Sequence, residues 1–207
     1  MSTVQSIVDD VRVEIDDTGS TRFSNDTAMI LPLIKQAIRR ANRICQRMSL
    51  HFAKKSAALT TVANQAYVSL PADFDIPIGL YRDDTHEKIA QRNEDIWERI
   101  ESAAALDNWF LDLVNSRVQF NGTPTEAIAL TLWYYPTVDP SAYTVASTMP
   151  WSGRLDDIIS RYVAMRLQNI DEMNIQVDQQ IMADMEASIV NTYQHLSPQI
   201  LEGEGWL

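Results

Sequence analysis

Tyr67-Val68-Ser69-Leu70-Pro71-Ala72-Asp73-Phe74, with Ile76 to Tyr81 close behind, joins an alternating run to a proline corner and a second apolar run. Ala66, Val68 and Leu70 alternate onto one face and Tyr67 and Ser69 onto the other, the period of a strand. Pro71 has no N–H for a ladder and biases Leu70 to the extended region, so the strand ends in a corner. Asp73 can hydrogen-bond the backbone of that turn, and Phe74 can anchor it in a core.

Outward from this corner, residues 51–150 keep a period near two. Leu59 to Val62 and Ala66 to Leu70 are expected to pair as a hairpin about Asn64-Gln65. Ile76, Ile78 and Leu80 continue a strand, Asp83-Asp84 turns it, and Glu87-Lys88-Ile89 makes a short return. Asn93 caps an expected helix with Ile96, Trp97, Ile100, Ala103 and Ala104 on its inner face. Trp109 to Val114 and Arg117 to Phe120 read as a second hairpin around Asn115-Ser116. Ile128, Leu130, Leu132 and Tyr134 form one face of the next strand, and Ala129, Thr131, Trp133 and Tyr135 the other. Both faces are rather apolar, so the second is covered either by the chain's own core or by a neighbouring subunit. Pro136 to Pro150 reads as a loop.

The flanks are helical. Val4, Ile7, Val8, Val11 and Ile15 recur at helical spacing, with Asp9, Asp10, Glu14, Asp16 and Asp17 around them and Gly19 as a stop. That acidic face is either solvated or docks on a basic neighbour. Ser24, Asn25 or Asp26 caps a second helix with Ile30, Ile34, Ala37, Ile38, Ala41, Cys45 and Met48 inside; Pro32 lies in its first turn or kinks it. Its other face carries Lys35, Arg39, Arg43 and Arg47 at successive fourth positions, with Arg40 beside them. Three fates are open to such a row: solvation, contact with carboxylates of another subunit or partner, and contact with DNA. Ser152 caps a third helix running to Ile170. After a bend at Asp171-Glu172 comes a last one with Val177, Ile181, Met185, Ile189 and Tyr193 inside. Its methionines fill core. The tail from Gln199 to Leu207 is Gly-spaced and ends in Trp206-Leu207, which frays or inserts into a partner's pocket.

The 207 residues carry a net charge of −11 and are 45% hydrophobic, enough for a core. An acidic chain is a poor match to a phosphate backbone over a broad surface. The lone Cys45 allows no intrachain disulfide and points to a reducing compartment. The start lacks a secretion signal, and no apolar run approaches the roughly 20 residues that cross a bilayer, so no membrane partner is expected. His51, His86 and His195 are scattered, and no zinc spacing, calcium loop, nucleophile elbow or phosphate-cradling loop occurs. No enzyme activity, cofactor, metal or catalytic residue is expected; a nuclease built on Asp156-Asp157 beside the arginine row is the enzyme alternative.

Tyr67-Val68-Ser69-Leu70-Pro71-Ala72-Asp73-Phe74, then Leu132-Trp133-Tyr134-Tyr135-Pro136, then a final helical pair from about Trp151 to Tyr193, resemble the head-to-tail adaptor, or head-completion, proteins of tailed bacteriophages. The resemblance implies a structural virion protein made in the host cytoplasm. It would form a ring of about twelve copies beneath the portal, extend the DNA channel and give the tail or nozzle a docking surface. DNA would pass the lumen without sequence-specific binding. It further implies that the C-terminal segment, with Ile200, Leu201, Trp206 and Leu207, reaches the portal. Lys35, Arg39, Arg43, Arg47, Trp133 and Tyr135 are the expected subunit contacts. The alternative is a non-ring binding module that docks through its first helix and Trp206 tail. The expected fold is α+β and mainly α. A helical bundle (1–50 and 151–195) would hold an inserted β-hairpin or small antiparallel sheet (51–150) and an extended arm (196–207) in one adaptor domain.

Overall fold

The computed structural model describes residues 2–19, 22–92, 106–170 and 174–193. They form two compact units, one from residues 1–53 with 138–207 and one from residues 54–137.

The first unit holds four α-helices among the described residues: α1 (Val4–Glu14), α2 (Leu31–Arg47), α3 (Asp156–Gln168) and α4 (Ile175–Tyr193). α1 begins in a capping box, Ser6 N–H donating to Thr3 Oγ1 while Thr3 N–H donates to Ser6 Oγ. The next free donors, Val4 and Gln5 N–H, reach the Ser147 and Val145 carbonyls at 2.8 Å each, which straps the helix start to the long loop. α1 ends earlier than Gly19 suggests: Asp16 takes the left-handed conformation (φ 55°) just past the Ile15 cap. Asn25 accepts from Ala28 N–H, a π-helical turn spans Asp26–Ile30, and Pro32 then lies in the first turn of α2, where its missing donor costs no bond. Ser152 does not cap α3. Its φ is 55°, and the N-cap is instead Leu155, three residues later, with no side-chain cap. α3 packs against α1, α2 and α4, and α2 against α4. The stripes meet as Ile7, Val8, Ile34, Ile38, Cys45, Ile159, Val163, Ile181 and Ile189, all buried. The bend at Asp171-Glu172 lies outside the described residues.

The second unit overturns the expectation of a mainly helical bundle with a small β insert. It is a seven-stranded mixed sheet with a core of its own: β1 (Lys55–Thr60), β2 (Tyr67–Ser69), β3 (Phe74–Arg82), β4 (Lys88–Gln91), β5 (Asn108–Asp112), β6 (Arg117–Phe120) and β7 (Ala129–Pro136). The order is β1-β7-β3-β4-β5-β6-β2, antiparallel throughout except for β4 and β5, which run parallel. The expected hairpin about Asn64-Gln65 does not form. β1 pairs with β7 and β2 with β6, so those two strands are separate edges of the sheet. The second hairpin does form, as β5–β6, with Ser116 at φ 50° in its turn. The helix expected after Asn93 lies outside the described residues.

Local chemistry explains the sheet's irregularities. Pro77 sits in β3 opposite Tyr134 of β7 and beside a register shift, the kind of place where a strand tolerates a residue without an N–H. Register shifts against β7 fall between Phe74 and Ile76 and between Pro77 and Gly79. At Gly79 a side chain would meet the Tyr81 ring at 3.0 Å and the Lys88 stem at 3.1 Å. The core under the sheet gathers Val68, Leu80, Ile89, Trp109, Phe120, Leu130, Leu132 and Tyr134. The Trp109 indole N–H donates to the Ile89 carbonyl at 3.1 Å, so the largest buried ring leaves no donor unmet.

The opening motif gains its meaning here. Lys55 Nζ and Tyr134 Oη both donate to the Asp73 carboxylate, at 2.5 and 2.8 Å, and Phe74 stacks tilted on the Tyr134 ring at 5.6 Å. Asp73 therefore binds β1 and β7 through its side chain. Only its carbonyl, which accepts from Thr137 N–H at 2.8 Å, takes part in backbone closure.

Candidate interaction surfaces

α2 presents its basic row outward. Arg39, Arg43 and Arg47 are exposed, and Lys35 is half-buried. Lys35 Nζ donates to the Ser141 carbonyl at 2.7 Å, and Arg39 stands 3.9 Å from Asp139. Arg47 pairs with Glu186 of α4. Arg40 leans inward and donates to the Met182 carbonyl at 3.1 Å, but its Nε is buried with no partner among the described residues. Arg43 has no ion pair among the described residues. The four arginines line an open cleft of about 410 Å³ whose floor includes Ile44, Tyr162 and Met182, with Glu186 on its far wall. Among the described residues these five cations have ion pairs to two carboxylates, Asp139 and Glu186, which leaves an excess of positive charge on this face. The sequence displayed the row; what it did not display was the α4 wall that turns the row into a cleft.

The outer face of α1 has the opposite sign. Asp9, Asp10, Glu14 and Asp16 are exposed, and Val13 lies among them at 69% exposure. Val13 stands off the buried stripe, which was the signal available in the sequence. Asp17, by contrast, is not part of this face. It is buried against Arg12, whose guanidinium donates to the Asp17 carboxylate at 3.1 Å, to the Phe23 carbonyl at 2.6 Å and to Asp26.

On β7, Trp133 is 38% exposed and Tyr135 is buried. Ile200, Leu201, Trp206 and Leu207 lie outside the described residues. Cys45 is buried, and burial pushes its thiol up to about 12, far from a reactive thiolate at neutral pH. The acids of the nuclease alternative, Asp156 and Asp157, stand in the first turn of α3; burial, with Asp157 and Asp10 close by, raises the Asp156 carboxyl. Among the described residues no group of three or more His, Cys, Asp or Glu side chains could hold a metal ion. Nor, among them, is any helix long and apolar enough to cross a membrane.

No curated protein matches the chain. The family model of the SU10 adaptor protein matches residues 2–198, which takes in both units and both short motifs. The chain therefore belongs to the SU10 adaptor protein family and is a structural protein of the bacteriophage virion, of a kind that is not an enzyme class.

Proposed function

We propose that this adaptor is a ring subunit of the head-to-tail junction. It binds beneath the portal, extends the DNA channel, and gives the tail or nozzle its docking surface. The observation that carries this reading is the family match over nearly the whole chain. Charge supports it. A chain of net −11 repels DNA on average and lets it slide without sequence-specific contacts, while the basic row on α2 is kept for protein carboxylates. About twelve copies would close the ring. Lys35, Arg39, Arg43 and Arg47, and Trp133 on β7, form the subunit contacts in this reading; Tyr135, buried within its own chain, drops out of the set. Ile200, Leu201, Trp206 and Leu207 form the arm that enters the portal, Trp being favoured as an interface anchor.

Light scattering of the purified protein, alone and with its portal, tests the assembly. A ring-sized complex on the portal is expected. A persistent monomer beside the portal overturns the ring and leaves a binding module that docks through α1 and the tail. Removal of residues 200–207 should abolish portal binding with the circular dichroism unchanged; binding that survives the deletion removes the arm from the proposal.

A further inference from the structure

We propose that the arginine cleft of one copy receives the acidic outer face of α1 from a second copy, with Val13 seated on the cleft floor. This names the contact that closes the ring and rests on the ring reading. The two surfaces match in sign, spacing and polarity. Arg39 and Arg43 stand one helical turn apart on α2, and Asp10 and Glu14 stand one turn apart on α1, about 6 Å in each case. Arg43 is exposed and lacks an ion pair among the described residues, so the cleft has a guanidinium to give. Val13 is an exposed apolar side chain inside an acidic rim, and Ile44, Tyr162 and Met182 supply an apolar floor inside a basic rim. An apolar centre within a charged edge is the arrangement of a specific protein contact.

The occupant has to come from another molecule. α1 is strapped at its start to the Val145 and Ser147 carbonyls and buries Val4, Ile7, Val8 and Val11, so its outer face cannot swing onto its own cleft. The two patches differ, so pairing them leaves one of each unused on every dimer. Such a head-to-tail contact propagates until a rotation closes it.

Reversing charge on each side and then mixing the variants tests the contact. R39E/R43E and D10R/E14R should each self-associate at least about tenfold more weakly than wild type at moderate salt, by sedimentation velocity across a concentration series. An equimolar mixture should recover association, because each variant's cleft then meets an α1 face of opposite sign. The milder pair R43Q and E14Q should show the same direction if a reversal disturbs folding, as judged by circular dichroism. Wild-type self-association that neither reversal changes overturns this contact and leaves the ring standing. A wild type that stays monomeric at every concentration, with or without portal, overturns the ring reading and the contact with it. Duplex DNA that binds wild type and not R39E/R43E, with no recovery on mixing, makes the cleft a phosphate site and also overturns the proposal.

Discussion

Asp73 holds two distant strands through one carboxylate. Burial pushes its carboxyl up, but the Lys55 and Tyr134 hydrogen bonds and the Lys55 charge outweigh that and hold it below the usual range. Tyr134 is raised in turn by burial and by Asp73. A carboxyl depressed in the folded state adds stability above its unfolded pKa, about 3.9, and loses it as pH falls through the folded value. Asp73 and Lys55 are both partly exposed and solvent screens the pair, so Asp73→Asn should cost at most about 1 kcal/mol in urea unfolding at pH 7, and the gap to wild type should close in acid. A gap that persists in acid would show that the carboxylate charge plays no part. Arg12 makes the opposite lesson. It occupies a position that the hydrophobic spacing of α1 would assign to a core side chain, and it is indeed 6% exposed. Yet it is a guanidinium that ties Asp17, Phe23 and Asp26 to the helix. Arg12→Leu should lower stability by about 3 kcal/mol, because the buried Asp17 carboxylate loses the Arg12 guanidinium and the Phe23 carbonyl loses its donor. A neutral or stabilising outcome in denaturant titration would mean that hydrophobic spacing alone governs this position.

At the scale of elements, the strand that matters most is β7, flanked by β1 and β3 along nearly its whole length. Leu130, Leu132 and Tyr134 alternate into the core and are all but fully buried. Leu132→Ala should cost about 3 kcal/mol, the usual loss for a deleted core leucine whose site cannot collapse; a change below about 1 kcal/mol would indicate a loosely packed sheet. The alternation that marks β7 was legible in the sequence, as were the stripes of the four described helices apart from Val177, which is 37% exposed, because period is a local property. Strand partners were not legible. Asn64-Gln65 resembles a hairpin turn, and nothing between Leu59 and Val68 announces that β1 will instead lie against β7, about 70 residues on, or β2 against β6. The parallel step from β4 to β5 likewise has no local mark. Helix ends failed where capping chemistry was present in the wrong geometry. Ser152 has a capping side chain but a left-handed backbone, and Gly19 yields to Asp16 as the residue that leaves the helix.

On the scale of the whole molecule, the helical unit is assembled from both ends of the chain, and the β unit is one continuous run, residues 54–137. The charge row on α2 was visible as spacing, but the cleft it lines is made with α3 and α4, more than 100 residues later, which no reading of α2 alone supplies. The two short motifs, separate in sequence, prove to be one bonded knot at Asp73 and Tyr134. The first and last strands of the β unit are paired, with Lys55 opposite Tyr134. Its two ends therefore leave side by side. A module whose ends meet in this way behaves as a cassette. It can be lengthened, reshaped or exchanged between fixed endpoints, so one half of this protein is free to diverge while the chain path of the other is inherited unchanged.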